Sequence, residues 1–215
     1  MFHFRFELSL KLKSIRHFFE QNLKDIDSEI LQIESNWDES QAETADDFGN
    51  LMFQPMQREK ITLRATYYEL NALVEHYLRS FAQEAYWKSA KHASVPKSVI
   101  DVPKGEIHRI KLVEDLPMGE IKRLIEHYYE FSLNQIPQYD AVSYIREIAN
   151  SFKHRNGYND FRRDPELRMP ERYQLSRDKT RQAIADVRQF LLSVYDKVTR
   201  SDDKSGTSFE DDNGG

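Results

Sequence analysis

The segment from Arg146 to Gly157, REIANSFKHRNG, holds the side chains best suited to chemistry in this chain. A helix turns by about 100° per residue, so Arg146, Asn150 and His154 follow one another at steps of about 40° and form one polar stripe. Imidazole has a pKa near neutrality and can take a proton from a ribose 2′-hydroxyl or give one to a leaving oxygen. A guanidinium can hold a phosphate through two hydrogen bonds. His154, Arg146 and Asn150 are therefore the candidate catalytic residues for metal-independent cleavage of RNA.

The same segment is also typical of an ordinary helix end. Lys153, His154 and Arg155 come just before Gly157, and glycine often follows the last residue of a helix. Cations in the last turn interact favourably with the helix dipole, by about 0.3–1 kcal/mol each. The basic last turn therefore needs no catalytic explanation, and on physical grounds alone helix capping is the simpler interpretation.

The composition excludes several classes of chemistry. The chain of 215 residues has no cysteine, so disulfides, thiolate metal sites and cysteine nucleophiles are ruled out. It also lacks a glycine-rich phosphate loop, an HExxH motif and a Gly-x-Ser-x-Gly motif. No apolar run approaches the roughly 18 residues of a membrane span. We therefore expect a soluble cytoplasmic protein that uses neither a metal nor a cofactor.

Charge is distributed unevenly along the chain, whose formal net charge is -5. Residues 20–47 contain ten acidic residues and one lysine, whereas residues 146–181 contain ten Lys or Arg and six Asp or Glu. Screening limits the reach of a distant charge to about 10 Å, so a basic segment of an acidic protein can still bind a polyanion. The alternative is that acidic helices pair with basic ones in the same domain, and both interpretations remain open. The candidate nucleic-acid-binding residues are Lys153, Arg155, Arg162 and Arg163.

Apolar residues recur at helical spacing in five segments. Steps of three and four residues run through residues 15–37, 63–85, 121–131, 141–152 and 184–198. Ser176 is a favourable N-cap for the last of these helices. The pattern predicts an all-α fold, specifically an antiparallel bundle of about five helices.

Segments outside this pattern complete the predicted organisation. Residues 39–57, with Gly49 and Pro55, are predicted to join the first two helices. Alternating β-branched residues predict a small β-hairpin insert near 95–113. The N-terminal alternation FHFRFELSL fits either a strand or the start of a helix. We predict one helical domain over residues 1–199, with an N-terminal helix at about 10–38, and a disordered acidic tail at 200–215.

The order of these elements resembles the HEPN family of helical proteins, named for higher eukaryote and prokaryote nucleotide-binding domains. The similarity covers roughly residues 61–199: a long helix, LRATYYELNALVEHYLRSF, then an insert, a helix with a polar-basic end and a closing helix. It implies a homodimer in which both motifs line one cleft. Many members are metal-independent endoribonucleases of toxin–antitoxin or phage-defence systems. The resemblance therefore implies RNA as substrate and an antitoxin or defence-system protein as partner.

The motif departs from the family pattern, in which a histidine follows an arginine after four to six residues. Asn150 and His154 match the later part of the motif, but Ala149 stands where the arginine is expected, and Arg146 lies one position too far upstream. The sequence therefore leaves two functions open. One is an antiviral or toxin-type ribonuclease, and the other is an inactive HEPN-like module that binds RNA, a nucleotide or a protein. A plain helical adaptor without a cleft is a third interpretation.

Overall fold

The computed structural model describes residues 3–37, 47–91, 113–158 and 172–206, without the side chains of residues 89–91 and 202–206. These residues contain five α-helices, one short 3-10 helix and no strand, which confirms the all-α class. The helices are α1 (His3–Asn36), α2 (Asp47–Lys91), α3 (Met118–Tyr129), the 3-10 helix (Leu133–Gln135), α4 (Tyr139–Arg155) and α5 (Arg177–Gly206). An isolated antiparallel bridge joins Tyr158 to Arg172.

The N-terminal alternation belongs to helix α1 from His3 onward. Burial there follows a helical period, because Leu8 and Leu12, four residues apart, are buried, whereas Phe6 and Leu10 are exposed. The strand alternative is thereby excluded for the described part of this segment. The alternation of apolar residues arises because both faces of the first turns of α1 carry large apolar side chains.

Helix α2 begins earlier than the sequence predicts. It starts at Asp47 and passes through Gly49 and Pro55, so the second half of the predicted connection at 39–57 is helical. Proline lacks the amide that would donate to the carbonyl four residues earlier, so the helix forgoes one hydrogen bond there. Pro55 is buried, and its apolar contacts offset part of that loss.

The chain divides into two compact units, and the first comprises residues 1–71 and 143–186. Its core is formed by the apolar faces of α1, the first part of α2, most of α4 and the start of α5. Ser176 caps α5 as predicted: its hydroxyl accepts a hydrogen bond from the Lys179 amide at 3.3 Å. The buried core side chains include Leu8, Phe19, Leu23, Ile26, Leu63, Tyr67, Leu70, Ile145, Ile148 and Ile184.

The second unit comprises residues 72–142 and 187–215. Its buried side chains come from the later part of α2, α3, the 3-10 helix and the later part of α5, and include Val74, Phe81, Ile121, Tyr129, Leu133, Leu191 and Val194. Arg79 on α2 donates hydrogen bonds to the carbonyl oxygens of Val113, Glu114 and Leu116 at 3.2, 2.7 and 2.9 Å. This guanidinium satisfies the open carbonyls of a helical turn just before α3.

Several predicted features lie partly or wholly outside the described residues. The β-hairpin predicted near 95–113 lies outside the described residues except for Val113, which is helical. Helix α5 reaches Gly206, so it includes the first residues of the predicted disordered tail, and residues 207–215 are not described. The single domain over 1–199 stays a prediction.

Candidate functional site

Helix α4 ends in a turn that only unusual backbone angles allow. Asn156 and Gly157 both have positive φ, at 52° and 86°. The Gly157 amide donates to the carbonyl oxygen of Ser151 at 3.1 Å, which satisfies a carbonyl of the last turn. A Cβ added to Gly157 would lie under 3.0 Å from three atoms of the Phe152 ring. Glycine is therefore favoured at position 157 both by its positive φ and by the close approach of Phe152. The capping interpretation expects a glycine after the last helical residue. The first left-handed residue, however, is Asn156.

The residues after this turn are joined to the segment that leads into α5. The Tyr173 amide donates to the Gly157 carbonyl oxygen at 2.8 Å, beside the bridge between Tyr158 and Arg172. Arg155 donates from Nε to the Tyr158 carbonyl oxygen at 3.0 Å. One predicted RNA-binding residue, Arg155, thus also fixes the turn. Two others, Arg162 and Arg163, lie outside the described residues.

The three predicted catalytic residues lie along α4 and differ in exposure. His154 is exposed, whereas Arg146 and Asn150 are half-buried. Eight residues of α-helix place Arg146 and His154 about 12 Å apart along the axis and about 80° apart around it. Both side chains lean toward the N-terminus of α4, so this axial offset separates the points from which they extend.

Ala149, at the position before Asn150, is a buried residue of α4. Its side chain is 3% exposed and packs in the core face of α4 with Ile145 and Ile148. A guanidinium at this position would have to enter the apolar core, at a cost of several kcal/mol. The orientation of α4 therefore leaves no room at this position for the arginine that the HEPN pattern expects.

Glu147, the residue after Arg146 on α4, accepts a hydrogen bond from the Tyr173 hydroxyl at 2.5 Å. Burial, followed by this hydrogen bond to a carboxylate, raises the pKa of Tyr173 well above its ordinary value. The Tyr173 ring also packs edge-to-face against Tyr144, with centroids 5.7 Å apart. Glu147 therefore positions the segment that leads into α5.

A basic pocket of about 270 Å³ lies on another side of the α4 end. The Arg64 guanidinium lies over the Phe152 ring, 4.7 Å from its centroid. Phe152 ends the apolar series predicted at 141–152, but it is half-buried and lines this pocket. The lining residues are Lys60, Leu63, Arg64, Phe152, Arg172, Tyr173, Gln174 and Leu175.

Among the cations of this pocket, only Arg172 belongs to the basic segment at residues 146–181. Lys60 and Arg64 were missed, although both stand one turn apart in REKITLR with no acidic residue three or four positions away on either side. Neither forms an ion pair with a described residue. The absence of acidic residues at helical spacing was the sequence feature that could have indicated that Lys60 and Arg64 are not ion-paired.

Other cations of the basic segment are paired inside the first unit. Arg177 donates two hydrogen bonds to Glu59, each 2.8 Å long, and a third of 3.0 Å to Asp27. Arg181 makes a two-pronged pair with Glu20, at 2.9 and 3.0 Å. We call Asp27, Glu59, Arg177, Glu20 and Arg181 the paired cluster. Internal pairing thus accounts for these two arginines.

No protein-family model, curated protein or solved structure matches the chain. None of the helices among the described residues is long and apolar enough to cross a membrane. The same residues contain no group of three or more His, Asp or Glu placed to hold a metal ion.

Proposed function

We propose that this chain is a HEPN-like protein that binds RNA through the last turn of α4. One observation carries the proposal: Lys153 and His154 are exposed there, and neither is ion-paired with any described residue. An exposed lysine without a carboxylate partner can contact a phosphate, and the contact is favourable because it releases counterions from the nucleic acid. Arg155 contributes to the turn, and we expect Arg162 and Arg163 to extend the contact.

The wider parts of this proposal follow from the family resemblance. They are an antiparallel arrangement of the five helices, a homodimer that brings two α4 ends to one cleft, and a cytoplasmic location. An antitoxin or another protein of a defence system is the partner expected for such a dimer. These expectations can be tested by the oligomeric state in solution and by co-purification.

Binding without cleavage fits the geometry of a single protomer better than a ribonuclease does. The position before Asn150 is occupied by buried Ala149, and Arg146 lies about 12 Å from His154 along the helix. An oxyanion that develops on phosphorus needs a donor within hydrogen-bond distance. Arg155, the residue next to His154, already donates from Nε to the Tyr158 carbonyl oxygen in the turn.

A fluorescence anisotropy titration of short single-stranded RNA tests the binding proposal. We expect Lys153→Met to weaken binding by about threefold to tenfold for every RNA sequence, because it removes a phosphate contact. Lys24→Met is the matched control, since Lys24 is an exposed lysine on the acidic helix α1. Equal affinities for both variants, or no binding by the wild type, would contradict the proposal.

The second candidate function is a metal-independent endoribonuclease, favoured by the exposure of His154 one turn beyond Asn150. In the proposed homodimer, the α4 end of the second copy would add its own Arg146, Asn150 and His154 to the cleft. RNA incubated in EDTA with wild type and with His154→Ala distinguishes the two functions. Cleavage by the wild type alone supports the enzyme, and intact RNA in both reactions supports the binding module.

A further inference from the structure

The basic pocket brings three cations together, whereas Arg177 and Arg181 of the same unit are paired with carboxylates. Lys60 and Arg64 occupy successive turns of α2, and like charges at this spacing repel each other by about 0.2–0.5 kcal/mol. Arg172 joins them from the segment before α5. Arg58 on the same helix, in contrast, is ion-paired with Glu29.

The donors that face this pocket are held in place by their surroundings. Arg64 is fixed by the Phe152 ring beneath it, and that ring in turn packs against Gly157. The backbone of Arg172 is held by its bridge to Tyr158, and its guanidinium lies 6.0 Å from the centroid of the Tyr158 ring. A preorganised guanidinium loses less conformational freedom on binding than a mobile one, which favours ligand binding over simple solvation.

The chemistry of the lining selects the kind of ligand. No lining residue is acidic, and the Tyr173 hydroxyl already donates to Glu147, so Lys60, Arg64, Arg172 and Gln174 supply the polar donors. The Arg64 guanidinium occupies one face of the Phe152 ring, which leaves that face closed to a stacking base. A pocket of about 270 Å³ lies below the range of about 300–1,000 Å³ typical of drug-sized ligands. These features fit a compact anion with several acceptor oxygens.

We propose that this pocket is a phosphate-binding site, in which Arg64 and Arg172 grip the phosphoryl oxygens and Lys60 supplies further charge. The phosphate belongs either to an RNA strand or to a free phosphorylated compound. The site is separate from Lys153 and His154, and it does not depend on the HEPN resemblance or on RNA binding at the α4 end.

Two probes distinguish the sources of phosphate with the full-length chain. Inorganic phosphate is followed by the line width of its ³¹P NMR signal, with sodium chloride added to equal ionic strength. Short single-stranded RNA is followed by fluorescence anisotropy. Each probe is tested against wild type, Arg64→Met and Arg58→Met, the last of which removes the same charge from the same helix outside the pocket.

We expect wild type to bind at least one probe and Arg64→Met to weaken that binding by about tenfold, because a charge-assisted two-pronged contact is lost. Arg58→Met is expected to change it less than about twofold, since its charge is neutralised in the protein. Binding of inorganic phosphate identifies a site for a free phosphoryl group, whereas Arg64-dependent binding of RNA alone identifies a phosphodiester site. Equal losses in the two variants, or no binding of either probe, overturn the proposal.

A second variant guards against a folding defect. Arg64→Lys keeps the charge and the stem but loses the planar fork, so we expect an intermediate loss of binding at an unchanged thermal midpoint. Lys153→Met separates this site from the proposed function, because it should leave phosphate binding intact. If the α4 end fails to bind RNA, the result with inorganic phosphate still tests the pocket. If the pocket fails to bind phosphate, the Lys153→Met result still tests RNA binding at the α4 end.

Discussion

Arg177 and Arg64 belong to the same compact unit, but their guanidinium groups have opposite surroundings. Arg177 lies in the paired cluster, where Glu59 and Asp27 accept its hydrogen bonds. Arg64 lies in the basic pocket, where it is held over an aromatic ring with Lys60 one turn away. The paired arginine links α5 to α1 and α2, whereas the pocket arginine has no carboxylate partner among the described residues.

This difference shows how to divide the cations of a basic segment into two groups. A guanidinium that is satisfied by carboxylates contributes to the folded state and offers little to a ligand. One that is held by an aromatic ring keeps its donors available for an incoming anion. We therefore expect substitutions in the paired cluster to change stability, and substitutions in the pocket to change binding.

The largest effect on stability is expected from Gly157→Ala, which alters the wall of the pocket and leaves the paired cluster unchanged. A Cβ would meet the Phe152 ring, and a φ of 86° is unfavourable for alanine. Together these should lower the free energy of unfolding by about 2–3 kcal/mol in urea titrations. Gly49→Ala is the control, because its Cβ meets nothing within 4 Å in helix α2, and alanine should be neutral or stabilising there. Equal stabilities of the two variants would contradict this account of Gly157.

Arg177→Met should have the next largest effect, because it leaves the Glu59 and Asp27 carboxylates without their shared partner. We expect the free energy of unfolding to fall by about 1–2 kcal/mol, since the groups are only partly exposed. The double variant Glu59→Met with Arg177→Met should recover part of the loss in a double-mutant cycle. Strict additivity of the two single losses would show that the pair does not couple.

Arg64→Met should change stability less than Arg177→Met does, by about 0.5–1 kcal/mol. Only the contact with the Phe152 ring is lost, and methionine retains part of its packing. Urea titrations of the two variants under identical conditions compare the regions directly. A loss in Arg64→Met as large as that in Arg177→Met would mean that the pocket arginine is structural too.

The smallest effect concerns acid pH and the Glu20–Arg181 pair. The hydrogen bond from Arg181 is the main cause of a lowered pKa for Glu20, whose ordinary value is 4.5. A carboxyl with a depressed pKa stabilises the fold above that ordinary value, and the contribution is lost as pH falls through the folded-state pKa. Because the pair is exposed, we expect only about 0.2–1 kcal/mol.

Unfolding titrations between about pH 7 and about pH 3 measure this contribution. Arg181→Gln should lose less stability on acidification than wild type does. Lys60→Gln should follow the wild-type pH dependence, since Lys60 has no carboxylate partner among the described residues. The same acid dependence in all three proteins would remove the pair as a contributor.

Much of the fold could be predicted from local patterns. The apolar residues of the last predicted helix, Ile184, Val187, Leu191, Val194 and Val198, are all buried in α5. The Ser176 cap is also confirmed, because capping depends on residues within one turn. The start of α2 was wrong because Gly49 and Pro55 signal a break locally, whereas the structure continues the helix through both.

The candidate site was less predictable than the helices that carry it. Spacing alone placed Arg146, Asn150 and His154 on one stripe, but it could not give their unequal exposure or the burial of Ala149. The predicted cleavage of RNA, the HEPN relationship and the homodimer stay predictions. The basic pocket combines α2, the end of α4 and the segment before α5, and no short stretch of sequence contains all three.

The sequence by itself determined where the helices form, because helix formation depends on residues three and four positions apart. It also determined that the segment around α4 is rich in cations. Only the tertiary structure decided which cations are neutralised: Arg177 meets partners 118 and 150 residues away in the chain. Electrostatic pairing depends on distances in space, so two arginines that look alike in the sequence acquire different roles once the helices have packed.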